Sequence, residues 1–352
     1  RDMTPPQGDA RLSLADPDAV DAALLTAFGP ALAQRGAARC AEDDSARRGV
    51  PVKQRAGLVL LLAALAVGLW IAPGQTAAGV FSVLILLNAL NALARIAVLG
   101  AALRGPYPDQ EMSQKTDQIT ALPTVGPMPC ISILIPLLRE PEVLPLLREA
   151  LEALDWPPER LDVLLLLEQD DSETAAALAA MPLPRFCRTL VMPAGEPRTK
   201  PRALNIALDF ARGDVIGIYD AEDRPEPDQL RRVAALLAQS PPEVACVQCR
   251  LSYYNPTENW LTRCFAIEYA MWFDVLIAGF SDLRLPIPLG GTSVFFRRHA
   301  LEALGGWDAQ NVTEDADLGM RLARRGWRCA VSRSTTHEEA NSRLLPWVRQ
   351  RS

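Results

Sequence analysis

The stretch "GDVIGIYDAED", Gly213 to Asp223, runs an apolar segment into three carboxylates within four positions, Asp220, Glu222 and Asp223. The apolar part has the length of a buried strand, and the acids stand where that strand would end. Taken alone, such a cluster reads as a solvated turn. Its surroundings point elsewhere. From Cys130 onward, short apolar runs alternate with helical patterns: "ISILIP", "PEVLPLLREALEAL", "DVLLLLE", "SETAAALAA", "RTLVMP", "KPRALNIALDFA", "DVIGIYD" and "PDQLRRVAALLAQ". Runs such as "VLLLL" lack polar alternation, as strands covered on both faces do. The expected fold is α/β, a parallel or mixed sheet between helix layers. In such sheets ligands bind beyond the carboxyl ends of the strands, and "YDAED" lies at such an end.

With 352 residues and 49% hydrophobic content, the chain exceeds one ordinary domain and is too apolar to be mostly disordered. "AGLVLLLAALAVGLWIA" (Ala56 to Ala72) and "AAGVFSVLILLNALNALARIAVL" (Ala77 to Leu99) are each about long enough to cross a bilayer, with Arg95 the one charge between them. They predict a transmembrane hairpin over 56–103. About fifty mostly polar residues precede it, so it reads as an anchor rather than a signal peptide. Arg47, Arg48, Lys53 and Arg55 come before the first span and Arg104 after the second, while the connecting "PGQT" is uncharged. The excess of positive charge at both outer ends places them in the cytoplasm of an inner-membrane, multi-pass protein. Asn88, Asn91 and Arg95 fall near one face of the second span, which suggests packing against other helices.

Residues 1–55 are expected to form a cytoplasmic segment of unassigned role, with a short capped helix in "DPDAVDAALLTAFG", and 104–129 a linker. Residues 130–352 then form the α/β domain. The seven cysteines are scattered. Cys246 and Cys249 form a lone CxxC without a second pair or a nearby histidine, which reads as strand packing rather than a metal or redox site.

Neither Gly-rich phosphate loop, GxGxxG or GxxxxGK[ST], is present in its expected setting. Clustered carboxylates repel a diphosphate unless a hard divalent cation, Mg²⁺ or Mn²⁺, stands between them. Two further stretches fit that chemistry. In "PRTKPRALNIAL", Lys200 opens a helix and can reach an anion; in "NVTEDADLGMRL", Thr313, Glu314 and Asp315 open another. Singly, these read as a solvated lysine and a helix cap with dipole-complementing acids.

In combination and order, "ISILIPLLRE", "EQDD", "TKPRALN", "DAED", "PLGGTSVFFRR", "TED" and the final "RQRS" resemble the processive inverting glycosyltransferases of family 2, the group of cellulose and hyaluronan synthases. The resemblance runs from about Ile131 to the last residue. It implies a GT-A fold, a Rossmann-like nucleotide-binding half fused to an acceptor-binding half. It also implies a UDP-sugar donor, a glycan acceptor, the lipid bilayer as setting, room for export or assembly subunits, and no nucleic-acid partner. Asp220 and Glu222 take the places of the two aspartates of the family DxD, with Asp223 an alternative metal ligand. Glu168, Asp170 and Asp171 compete for the contact to the base. Pro136 and Glu140 correspond to the first-strand motif beside the nucleoside, and Lys200 would face the diphosphate. Asp315 matches the general base of the family TED.

Glu314 and the glycine pair Gly290 and Gly291, with Thr292, correspond to the acceptor side, where glycines permit close backbone approach. Gln350 and Arg351 match the opening of the family QxxRW motif, inside which the sequence would stop as a fragment. An inverting transfer needs one base opposite the leaving diphosphate, and neither His299 nor His337 stands in a convincing strand-end constellation, so a carboxylate base is the economical choice. The aromatic stretch around Trp260, Phe265, Tyr269, Trp272 and Phe273 is helical in pattern, reads as shorter and more polar than a membrane span, and is expected to pack in the core.

Overall fold

The computed structural model describes residues 17–103, 128–344 and 348. Gln350 and Arg351, and nearly all of the expected linker, lie outside the described residues. The centre of the fold is one eight-stranded mixed sheet. Its strands are β1 (Ile131–Leu137), β2 (Leu161–Glu168), β3 (Cys187–Met192), β4 (Val215–Ile218), β5 (Arg224–Pro225), β6 (Val244–Tyr253), β7 (Val294–Arg297) and β8 (Arg328–Glu338), in the order β3-β2-β1-β4-β7-β6-β8-β5. β3, β2, β1 and β4 are parallel; β7 runs antiparallel between β4 and β6; β8 is parallel to β6. This is the two-part GT-A arrangement, a Rossmann-like parallel half continued by a mixed half.

The unalternating strands are covered on both faces, as expected. Leu164 and Leu166 of β2 join Leu134, Ile216 and Ile218 in one core, while Val163, Leu165 and Leu167 join Ile133, Ile135 and Phe295 in the other. Cys246 belongs to the first core and Cys249 to the second, so the CxxC pair is split across the sheet. Gly217 lies where a Cβ would fall 2.6 Å from the Phe295 ring, a close strand approach that only glycine permits.

Helix α1 (Pro17–Ala37) and the residues after it do not stand apart from the catalytic domain. Arg188 of β3 pairs with both Asp162 and Asp21, Arg39 pairs with Asp209 at 2.6 Å, and Asp44 meets Arg324 and Arg325 at 3.0 and 3.1 Å. Buried Asp308 accepts from Ser45 Oγ at 2.8 Å and Ala46 N at 2.6 Å. The described part of the segment left without an assigned role is thus tied to the catalytic domain. Helices α2 (Val52–Ile71) and α3 (Pro73–Ala102) follow, both long and apolar enough to cross a membrane, with apolar side chains exposed along their lengths. Asn88 donates from its amide to Leu84 O of its own helix at 2.9 Å. By length and composition Trp260–Asp282, 23 residues, is able to cross a membrane too, contrary to the expectation from sequence, but Leu261, Phe265, Phe273 and Ile277 are buried on its inner face. In the catalytic domain, α4 (Leu144–Glu152) follows β1, α5 (Ser172–Ala180) follows β2 and α6 (Lys200–Leu208) follows β3.

Candidate active site

Strand β4 is buried throughout, and Tyr219 continues it inward, its hydroxyl on Gln229 Oε1 at 2.7 Å. The chain then turns at the carboxyl end of the sheet. Asp223 locks that turn from inside: it is 2% exposed, and its Oδ2 accepts from Asp220 N at 2.8 Å and from the Thr292 hydroxyl. Asp220 and Glu222 are left facing outward, half-buried and exposed respectively. Of the two acids offered as the second metal ligand, Glu222 lines the cleft and Asp223 is buried, its Oδ1 without a hydrogen-bond partner. Its carboxylate holds the loop, and Thr292, expected on the acceptor side, is buried as its partner. Burial and the Asp220 charge push the Asp223 carboxyl up to about 7.

That shift carries a sign. A carboxyl whose folded pKa lies above its ordinary value of 3.8 contributes stability that is complete below 3.8 and is lost as pH rises through about 7. Asp223→Asn keeps an oxygen for both donors without the charge. In detergent and without divalent metal, the variant is expected to melt above the wild type at pH 8, with the gap closing by pH 4. Equal melting temperatures at pH 8 would show that the fold does not raise the Asp223 pKa.

Helix α6 presents Lys200 at its first position. The ammonium lies 2.5 Å from Asp220 Oδ1 and 3.0 Å from Gly291 O. Burial works against this charge, but Asp220, Glu314 and Asp223 outweigh it and raise the lysine pKa. On the other side of the cleft, Glu168 ends β2 and is held by fully buried Arg202 at 3.2 Å. Pro136, Glu140, Glu168, Arg198, Lys200, Asp220 and Glu222 line one cleft of about 270 Å³. Asp170 sits at its rim, paired with Arg198. Asp171 turns inward, capping α5 through Thr174 N at 3.1 Å and accepting from Arg139 N at 2.5 Å. Of the three acids competing for the base contact, Glu168 is the one that lines the cleft.

Lys200 and Asp315, expected on the donor and acceptor sides, come together at Gly291. A Cβ there would lie 3.2 Å from Asp315 Oδ2, crowding the carboxylate, and 4.0 Å from Lys200 Nζ, in ordinary contact with the ammonium. Gly290 N donates to buried Gln248 Oε1 at 2.8 Å, which fixes the loop. Asp315 stands in the first turn of the next long helix (Glu314–Arg324). Thr313 makes no side-chain cap bond, its hydroxyl donating to Asn311 Oδ1 at 3.1 Å, while Glu314, Asp315 and Asp317 stand in the first turn, where acids complement the helix dipole. Burial, then the adjacent Asp315 charge, raises the Glu314 pKa. His299 follows β7 directly, and Arg297 pairs with Val215, so it lies at the opposite end of β4 from Asp220.

One acid of the site, Glu338, carries no motif. It ends β8, accepts from the Tyr269 hydroxyl at 3.4 Å, and is pushed up to about 8 by burial and by Asp223, Asp220 and Glu222. Burial and neighbouring acids likewise raise Glu140 and Glu222. This crowding of acids is relieved by added positive charge. Among the described residues no group of three or more His, Cys, Asp and Glu forms a preformed metal cage. Two outward carboxylates fit a hard cation completed by phosphate and water, the usual way Mg²⁺ is held.

Comparison with known proteins finds glycosyltransferases. Residues 215–352 match the family model described as glycosyl transferase family group 2. The beta-monoglucosyldiacylglycerol synthase of Synechocystis sp. is 29% identical over 212 residues, 58% of this chain and 42% of that protein. The probable glucomannan 4-beta-mannosyltransferase 1 of Arabidopsis thaliana is 31% identical over 216 residues, 58% of this chain and 38% of that protein. The chain thus spans less than half the length of these relatives. A mannosyltransferase of Pyrobaculum calidifontis, solved with GDP-mannose and Mn²⁺, superposes with a TM-score of 0.48 at 22% identity, over 74% of this chain and 71% of that one. Over residues 215–352 the chain is therefore similar to glycosyl transferase family group 2.

Proposed function

We propose that the protein transfers a sugar, glucose, from a UDP-sugar to the end of a growing β-linked polysaccharide, with inversion at the anomeric carbon. The observation that carries this reading is the meeting of Lys200, Asp220 and Asp315 around Gly291. It supports the reading by bringing the Lys200 ammonium and the Asp315 carboxylate to one backbone position. The nucleoside lies in the cleft beside Pro136, Glu140 and Glu168. Lys200 leaves Asp220 for the diphosphate and neutralises charge as the sugar–phosphate bond breaks. Asp220 and Glu222 would hold Mg²⁺ or Mn²⁺, which would supply positive charge to the leaving diphosphate. Asp315 accepts the proton of the attacking hydroxyl on the face opposite the departing group. Helices α2 and α3 anchor the chain as a multi-pass inner-membrane protein with its catalytic domain in the cytoplasm.

A second reading, transfer of one sugar to a lipid acceptor, draws support from the apolar helical surface beside Gly290 and from the lipid product in the name of the Synechocystis relative. The protein in nanodiscs, supplied with Mn²⁺ and a panel of radiolabelled UDP-sugars, separates the two. Label retained at high molecular mass with UDP-glucose is expected. Label extracted into solvent as a monoglycosylated lipid would establish the second reading, and no transfer from any UDP-sugar would contradict both.

A further inference from the structure

The two helices that bring Lys200 and Asp315 to Gly291 do so with their first turns, and the N-terminal segment binds both of them farther along. Helix α6 is buried from Pro201 to Leu208. Near its end, fully buried Asn205 uses its whole amide: Nδ2 donates to Gly36 O and to Trp307 O at 2.8 Å, and Oδ1 accepts from Trp307 N at 2.9 Å. Arg39 closes the same end, where helix carbonyls lack partners of their own. It donates to Asn205 O at 3.1 Å and pairs with Asp209 at 2.6 Å.

The loop that leads to the Asp315 helix is pressed between these parts. Gly305 and Gly306 have φ of +75° and +66°; a Cβ on the first would fall 2.6 Å from Arg39 O, and on the second 2.3 Å from Asn205 Oδ1. Asp308, 1% exposed, accepts from Ser45 Oγ and Ala46 N of the segment and from Gln310 N at 3.1 Å in its own loop. The Asp315 helix is gripped as well. Its buried Arg321 donates to Leu304 O and Gly306 O at 3.1 and 2.9 Å, and Asp44 pairs with Arg324 and with Arg325 just past its last residue.

The stretch 36–46 thus touches α6, the loop and the Asp315 helix, yet none of its residues lines the donor cleft. We propose that this strap is a positioning element of the active site, with Arg39 and Asn205 fixing Lys200 and with Asp44 and Asp308 fixing Asp315. The inference rests on the roles proposed for Lys200 and Asp315. A helix carries a displacement along its axis, and Asn205 stands only about 7.5 Å of helix from Lys200. Buried polar networks in which every group is paired hold one arrangement, because a shifted group loses its partner. Catalysis is sensitive to such shifts, since a misplacement of about 1 Å costs up to about 10²-fold in rate.

Charge reversal in the full chain, in nanodiscs, separates positioning from mere stability. Asp44→Arg opposes Arg324 and Arg325 and is expected to lower kcat about tenfold at saturating UDP-sugar, with metal-dependent UDP affinity within about twofold of wild type. Adding Arg324→Asp and Arg325→Asp is expected to restore kcat to within about twofold. Asp44→Asn, which keeps the shape, is expected to show the same split at about threefold, and serves if the reversal does not fold. Arg39→Gln, acting on α6, is expected to raise the UDP Kd about fivefold, and Arg39→Lys to recover most of that loss. A strap that only stabilises the fold would lower melting temperatures and leave kcat per folded molecule and UDP Kd unchanged, which would overturn the proposal. A kcat loss that the swapped charges do not recover would overturn it equally. Hydrogen exchange keeps this outcome apart from that of the proposed function. Amides of residues 309–316 are expected to exchange faster in Asp44→Arg and to return to wild-type rates in the triple variant, whether or not any UDP-sugar is turned over. Unchanged exchange there would show that the strap does not hold the Asp315 helix.

Discussion

Asp315→Asn is expected to lower transfer by about 10²-fold or more while UDP affinity stays near that of the wild type. The amide keeps the shape of the carboxylate and can still accept from Ala316 N, as Oδ1 does at 2.7 Å, so the helix start should persist. What it cannot do is take a proton. Because the base acts on the acceptor, the loss should appear in kcat and remain at saturating donor; a donor-binding role would instead be rescued by raising UDP-sugar. Near-normal turnover in this variant would make Asp315 a structural acid.

The second large effect concerns the metal. Asp220→Asn and Glu222→Gln each remove one negative ligand from the outward-facing pair, and a charge-assisted contact contributes about 1.5–3 kcal/mol. That corresponds to roughly a ten- to hundredfold change in Kd. The loss should be confined to the gain in UDP affinity on adding Mn²⁺. In chelator the Asp220 variant should bind UDP no worse than wild type, since Lys200 is released from the 2.5 Å pair and one repelling charge is gone. Calorimetric titrations with Mn²⁺ and with chelator give both numbers. A metal-induced gain that survives in both variants would remove these residues from the cation site.

Much of this architecture is legible in the amino-acid sequence alone. Unbroken apolar runs in β1 and β2 point to strands covered on both faces, and "YDAED" reads as a strand end because a short apolar run, the four residues of β4, leads into it. The order of "TKP", "DAED" and "TED" leads one to expect their meeting, which takes place at Gly291. Sequence does not separate neighbours. Glu222 and Asp223 are adjacent, and which one faces the cleft depends on a turn whose inner bonds come from Asp220 N and Thr292, far apart in the chain. The same holds for Asp171, pulled inward by Arg139 N and Thr174 N.

Glu338 carries no spacing signal, because it reaches the acids only through the parallel pairing of β8 with β6 and the short antiparallel pairing with β5. Nor does a pattern announce the strap formed by the N-terminal segment. It depends on Gly36, where a Cβ would fall 2.6 Å from Ile206, and on buried Asn205, which donates to both Gly36 O and Trp307 O at 2.8 Å. The aromatic stretch reads as core from its inner residues; its exposed apolar face becomes visible only once the sheet shows which side is covered.

The most direct test of the central claim is an experimental structure of the protein with UDP and Mn²⁺, the metal located by its anomalous signal. The account predicts the ion against Asp220 and Glu222, the diphosphate within reach of Lys200, and the base beside Glu168. Nucleotide bound elsewhere, or an anomalous peak away from Asp220 and Glu222, would contradict it.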